Sequence, residues 1–264
     1  MKRLILTITS LALTLSAIAN EQPKEINTLA DEEVCAKILD KISVYALASY
    51  ESEYVSRGLK WGGRTGVMEV DVSYDFGNGF GGYSGVWMCD VLDTRKDPDH
   101  FQSEFDLYTS LTYTVDNLTL ELGYLAYLYA KAFETTHEIK FAFVYDTAEY
   151  FGEFNVSPKM RCLYDFVLES TLIEGGLKYS APVTKWLIDR NWGTINLSAL
   201  YGWSTEINGA GYSYFTTTAD ACVAINKYCS FSVGIRYSYA YNAPEHYRNT
   251  RDTIWFGTGL SISL

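Results

Sequence analysis

Asp252 to Leu264 reads DTIWFGTGLSISL, and its reading decides the fold. Ile254, Phe256, Leu260, Ile262 and Leu264 share one parity, while Trp255, Gly257, Gly259, Ser261 and Ser263 share the other. A period of two with one apolar face predicts a strand wetted on one side only, not a helix. A bare apolar face on the last strand is the surface a barrel turns toward lipid. Working back along the chain, the same two-sided pattern recurs. Phe105, Leu107, Leu111, Tyr113 and Val115 alternate with Glu104, Asp106, Ser110, Thr112 and Thr114. Leu118, Leu120, Leu122, Tyr124 and Leu128 stand opposite Thr119, Glu121 and Gly123. Phe231, Val233, Ile235, Tyr237 and Tyr239 stand opposite Ser230, Ser232, Gly234, Arg236 and Ser238.

About twelve such segments follow Ile42, each near the ~10-residue unit of a tilted spanning strand. They are predicted at 42–56, 65–77, 80–92, 103–115, 117–131, 136–147, 158–168, 171–183, 193–204, 212–225, 228–242 and 252–264. The fold class is therefore all-β, a transmembrane antiparallel up-and-down barrel over residues 42–264. Ten or fourteen strands are the alternatives, and a secreted β-sandwich is the competing architecture for the same alternation. Gly77-Asn78-Gly79, Asp116-Asn117 and Asn226-Lys227 carry tight-turn chemistry and predict periplasmic turns. Longer polar connections after the first, third, ninth and eleventh segments predict extracellular loops. The connections 147–158 and 182–192 are long where this alternation asks for short ones.

The start and the composition agree. Met1 to Ala19 joins basic Lys2 and Arg3, an apolar stretch from Leu4 to Leu15, and Ala17-Ile18-Ala19, which together predict a secretory signal cleaved after Ala19. Residues 20–41 form a charged lead-in on the periplasmic side, within which Asp31 to Ile42 has a short amphipathic helical pattern. Nothing later is apolar for the ~18 residues a membrane helix needs. Only helices and closed barrels satisfy every backbone amide in lipid, so a membrane location means a barrel in the outer membrane of a diderm bacterium. Aromatic residues make up 16% of the chain, with 22 Tyr. That supply suits the aromatic girdles of such barrels. The implied partners are outer-membrane lipid, the machinery that assembles barrels, and small solutes or cations; the oligomeric state is not legible. A net charge of −11 argues against nucleic-acid binding.

The five cysteines, Cys35, Cys89, Cys162, Cys222 and Cys229, have no metal-ligand spacing, and neither a metal nor a cofactor is predicted. Cys222 and Cys229 flank a turn but lie on opposite faces, so a disulfide there would require a bulge. Free, buried thiols are expected.

Ser52 to Gly58 (SEYVSRG), Gly85 to Trp87 (GVW), Glu104 to Tyr113 (EFDLYTSLTY), Leu120 to Tyr129 (LELGYLAYLY) and His137 to Phe141 (HEIKF) occur in an order and spacing that resembles the TorF-type porin family. Those exported outer-membrane proteins open with a Ser-x-Tyr-x-x-Arg-Gly strand end and continue with a Gly-x-Trp strand. The resemblance runs from about Ile42 and loosens after Asp146, and Leu264 stands where barrels commonly end in Phe or Trp. It implies a barrel and a channel, and brings neither an established substrate nor a catalytic residue.

With the polar parity turned inward, acids outnumber bases. The inward acids are Glu51, Glu53, Glu69, Asp71, Asp75, Glu104, Asp106, Glu121, Glu138, Asp146, Asp165, Glu174 and Asp220. The bases are Arg57, Lys140, Arg161, Lys178 and Arg236. Carboxylate-lined pores favour cations. So many carboxylates without counter-charges are costly in a dry interior, and a wet lumen is expected. The function read from the residues is a porin-like channel for passive passage of small solutes or ions, with cation preference. Glu51, Glu69, Asp71, Glu104, Asp106 and Glu121 are expected to line its acidic wall, with Arg57 and Arg236 as opposing bases. A non-transporting scaffold barrel is the alternative. An outer-rim hydrolase would need a His base; His100, His137 and His246, all expected in or near outer loops, lack a nucleophile in a fixed position nearby.

Overall fold

In the computed structural model, residues 39–92, 103–129, 135–152, 155–183, 193–205, 211–243 and 252–264 are described. The segment expected to be a signal sequence and most of the expected lead-in lie outside them, as do Cys35, His100 and His246.

Twelve antiparallel strands close into one barrel. They are β1 (Ile42–Glu51), β4 (Thr65–Gly77), β5 (Phe80–Val91), β6 (Ser103–Val115), β7 (Leu118–Tyr129), β8 (Thr136–Tyr145), β9 (Asn155–Asp165), β10 (Ser170–Pro182), β11 (Gly193–Ser204), β12 (Tyr212–Ala224), β13 (Cys229–Tyr241) and β14 (Asp252–Ser263). From β4 onward each pairs with the next in the chain, and β1 pairs with β14 from Tyr45↔Ser263 to Glu51↔Gly257. Full closure leaves no unpaired edge for hydrocarbon to desolvate. The start of β1 and the end of β14 share one end of the barrel, called here the terminal end.

The two parities sort as their chemistry requires. Leu107, Leu111, Leu122, Phe141, Leu177, Val233, Ile235 and Leu260 stand exposed on the outside. At the terminal end this belt meets Tyr74, Phe76, Phe80 and Tyr113, with the rings of Phe80 and Tyr113 4.5 Å apart. At the opposite end it meets Tyr50 beside Phe256, and Tyr164 beside Phe166. An apolar belt between two aromatic girdles is the outer surface of a membrane barrel. In water such a continuous apolar surface would drive association.

The turns at the terminal end follow their sequence signals. Asn78 and Gly79 both have positive φ, as does Asp116. In the β12–β13 turn the Asn226 side chain accepts hydrogen bonds from the Tyr228 and Cys229 amides. After β8 the connection carries a single helical turn, α1 (Ala148–Phe151), where Asp146 accepts from the Ala148 amide and the Asn155 side chain. Asp146 therefore stabilises a connection at the terminal end and does not line the lumen. The strand predicted at 158–168 runs 155–165, and that predicted at 171–183 runs 170–182. Residues 166–169 form a tight turn whose Val167 and Leu168 amides donate to the Asp165 carboxylate.

The main departure from expectation is in the first segment. Strand β1 ends at Glu51 instead of running to residue 56, and the chain leaves the wall at Ser52. There the Ser52 amide donates to the Phe256 carbonyl, and the Ser52 hydroxyl accepts from the Phe256 amide. One residue thus ends the β1–β14 ladder without orphaning its backbone groups. The chain then folds back as a separate two-stranded hairpin, β2 (Tyr54–Ser56) and β3 (Leu59–Gly62), outside the ladder of the wall. Its turn is Arg57-Gly58, with φ of 49° and 83°, the double positive φ of a tight hairpin turn. A side chain at Gly58 would be strained at that φ and would also overlap Tyr214 of β12.

Candidate functional site: the lumen

The hairpin of residues 52–64 lies inside the barrel at the end opposite the termini, called here the hairpin end. Leu59 is fully buried among Leu163, Leu172, Tyr212, Tyr214 and Ala240, and Trp61, Leu125 and Leu200 pack on the same cluster. Tyr54 and Trp61 also pack against Val67, Trp87, Cys89, Val91 and Tyr129. Its contacts therefore reach the wall from β4 around to β13. Burying a leucine completely contributes on the order of 1.5–3 kcal/mol.

Polar contacts fix the hairpin in one pose. Arg57 forms an ion pair with Glu138 of β8 at 2.5 Å, and its guanidinium lies 5.8 Å from the centre of the Tyr127 ring. Tyr127 donates to the same Glu138 carboxylate at 2.7 Å. Tyr212 donates to the Arg57 carbonyl at 3.0 Å, and Tyr54 to Glu104 at 2.6 Å. Trp61 donates back to the Ser56 carbonyl at 3.2 Å, and Glu53 pairs with Lys60 at 2.7 Å. Glu138 is 1% exposed, so its charge depends on these partners.

Around and beyond the hairpin the lumen wall divides by charge. On β4, Glu69 and Asp71 both accept from Tyr108 of β6 and have no ion-pair partner among the described residues. On β6, Glu104 and Asp106 face inward and are buried, and one Asp106 oxygen has no hydrogen-bond partner among the described residues. On β7, Glu121 is held by Lys140 and by the Tyr83 hydroxyl. The opposite arc, β9 and β10, carries Lys159, Arg161 and Lys178, with Arg161 paired to Glu174 and Tyr214 donating to the same carboxylate. On β13, Arg236 bridges Asp220 at 3.1 Å and Glu51 at 3.3 Å, and the glycine at 257 leaves room for its guanidinium and for Glu51.

A chamber of roughly 410 Å³ opens against this second arc. Lys159, Lys178, Asn196, Ser198, Thr218, Asp220, Arg236 and the serines 230, 232 and 261 line it, with Tyr45 and Leu47 of β1. Most of these residues sit in the half of their strands nearer the terminal end, with Thr218 and Arg236 at mid-strand.

The residues expected to line a pore fall into two groups. Glu51, Glu69, Asp71, Glu104, Asp106, Glu121 and Arg236 take inward positions on the wall. Arg57 lies on the hairpin turn, not on a wall strand, and Glu53 and its partner Lys60 also belong to the hairpin segment. Lys159, which has the parity of Arg161 on β9, is a further inward base not among those expected from the sequence. His137 is on the outer face of β8, its ring stacked on Tyr124 and bonded to that hydroxyl at 2.7 Å. It belongs to the aromatic girdle and not to a loop. Cys89, Cys162, Cys222 and Cys229 are free, with only Cys89 buried. Cys222 points inward and Cys229 outward, which accounts for the absence of a bridge. No group of metal-ligating side chains occurs among the described residues.

No family model matches the sequence, and no curated protein does. Solved structures do. An outer membrane channel from Pseudomonas putida F1 superposes with a TM-score of 0.53 at 8% identity, covering 84% of this chain and 94% of that one. The fold is that of an outer-membrane barrel. The NanC porin gives 0.52 at 10% identity, over 84% of this chain and 100% of its own. LpxR from Salmonella typhimurium gives 0.52 at 9% identity, over 83% and 99%. At these identities the likeness is one of architecture, shared by proteins with different names and uses.

Proposed function

We propose that this chain is an outer-membrane channel for passive passage of small solutes and ions, with its bore set by the inward-folded first loop. The observation that carries the proposal is the contrast between the two faces of the wall. Outside is a predominantly apolar belt; inside are carboxylates, lysines and hydroxyls around a chamber. A barrel built only to stand in lipid has no need of an interior with so many charges lacking counter-charges. The tight turns at 77–80, 115–118 and 224–229 favour a periplasmic terminal end, with the hairpin end at the cell surface. The segment Ser52–Gly58, which carries part of the resemblance to the TorF-type porins, forms the first strand and turn of the hairpin.

Selectivity follows from the charges left over once ion pairs are set aside. Glu69 and Asp71 share the hydroxyl of Tyr108 and have no ion-pair partner among the described residues. Carboxylates in a water-filled bore attract cations. The test is single-channel recording of the refolded protein under a salt gradient. Cation-selective steps are expected, and the double variant Glu69→Gln/Asp71→Asn should move the reversal potential toward zero. An unchanged reversal potential would remove those two carboxylates from the path. One observation favours a second reading, a closed scaffold barrel: the hairpin reaches across the lumen. A folded barrel that never conducts would establish that reading instead.

A further inference from the structure

We infer that the chamber at the terminal end holds a subsite for a small hydroxylated anion, with Lys159 and Lys178 as its charge partners. The inference deepens the channel reading by naming what the chamber recognises, and it rests on the wet lumen of that reading.

Other lumen bases are neutralised in place: Arg57 by Glu138, Lys140 by Glu121, Arg161 by Glu174, and Arg236 by Glu51 and Asp220. Lys159 and Lys178 have no carboxylate partner among the described residues, and both face the chamber. They stand on adjacent strands, since Lys159 pairs with Gly176 and Lys178 with Ser157 in the β9–β10 ladder. Two like charges on one face of neighbouring strands repel. A bound anion would relieve that repulsion and gain charge-assisted hydrogen bonds.

The rest of the lining says which anions fit. Around the lysines stand Asn196, Ser198, Thr218 and a row of serines, with Asp220 already neutralised by Arg236 on the same lining. Ser198 bonds Thr218 at 2.8 Å, which uses one donor and leaves acceptor capacity on both oxygens and a donor on one. A polyol can engage such a surface, whereas a bare inorganic anion leaves most of it unused. The volume of roughly 410 Å³ lies within the ~300–1,000 Å³ of small-molecule sites. The unneutralised acids Glu69 and Asp71 lie on β4, outside the chamber lining. A carboxylate therefore meets attraction on the β9–β10 arc and repulsion from the acidic arc, while small cations still predominate in the conducted current. Both effects come from one divided lumen.

Calorimetric titration of the full-length mature protein, folded in detergent, tests this with D-glucuronate, D-glucose and acetate as probes. Glucuronate should bind saturably and at least about tenfold more tightly than either control, the equivalent of one charge-assisted contact beyond what hydroxyls or charge supply alone. Lys159→Gln/Lys178→Gln should lose that advantage, and Lys159→Arg/Lys178→Arg should keep most of it. Glucuronate binding no tighter than glucose in the unaltered protein would overturn the inference, with no need for any variant to fold. So would full binding by the glutamine variant. Failure of the channel reading has a different signature: a protein that binds glucuronate yet never conducts retains the subsite and loses the channel.

Discussion

The two halves of the lumen are built from the same alternating strands and solve the problem of inward charge in opposite ways. At the hairpin end the barrel is filled. Leu59 and Trp61 displace water, and Glu138 and Glu174, 1% and 3% exposed, each have an arginine and a tyrosine hydroxyl as partners. At the terminal end no segment enters the lumen among the described residues, and Lys178 is exposed to the chamber without a counter-charge. The difference teaches that the cost of a buried charge is local. Glu138 and Glu174 have partners where side chains exclude water, and Lys178 stands without one where the bore opens.

The largest expected effect comes from removing the difference between the halves. Replacing residues 53–63 with a short Gly-Ser linker should leave the wall ladder intact and raise single-channel conductance several-fold, because no wall strand pairs with the hairpin. A smaller effect should follow from loosening it. Arg57→Ala leaves Glu138 without its cation, and breaking a buried pair from one side costs about 3–5 kcal/mol. The hairpin amides should then exchange with solvent faster while those of the wall keep their protection. The corresponding change in the other half, Lys178→Gln, should alter stability by less than about 0.5 kcal/mol in a denaturant titration, as expected for a hydrated charge without a partner. Equal losses for Arg57→Ala and Lys178→Gln would erase the distinction between a dry half and a wet one. The reversal-potential shift of Glu69→Gln/Asp71→Asn is the smallest effect and leaves the fold unchanged.

Much of this architecture was legible in the sequence because alternation is enforced at every wall position. A residue slipped by one turns a carboxylate to lipid or a leucine to water. The parities of β6, β7, β13 and β14 are those read from their residues, and Asn78-Gly79 turns where its backbone preference requires. The hairpin was not legible for the same reason. Tyr50, Ser52, Tyr54 and Ser56 continue a period of two, so β2 reads as the end of β1. The available signals were Arg57-Gly58 and Gly62-Gly63, two turn-competent pairs flanking Leu59-Lys60-Trp61. Of the lining residues, the inward acids could be listed from parity alone. Their pairing could not, because Arg57 meets Glu138 across 81 residues of chain. Nor could the division into an acidic and a basic arc be read without the ring order that places β4 across from β9 and β10.

The most direct measurement of the central claim compares single-channel conductance of the unaltered protein with that of the hairpin-replaced variant in the same planar bilayer and salt gradient. The account predicts small cation-selective steps for the first and several-fold larger steps for the second. Equal conductances, or silence from both folded barrels, would contradict it.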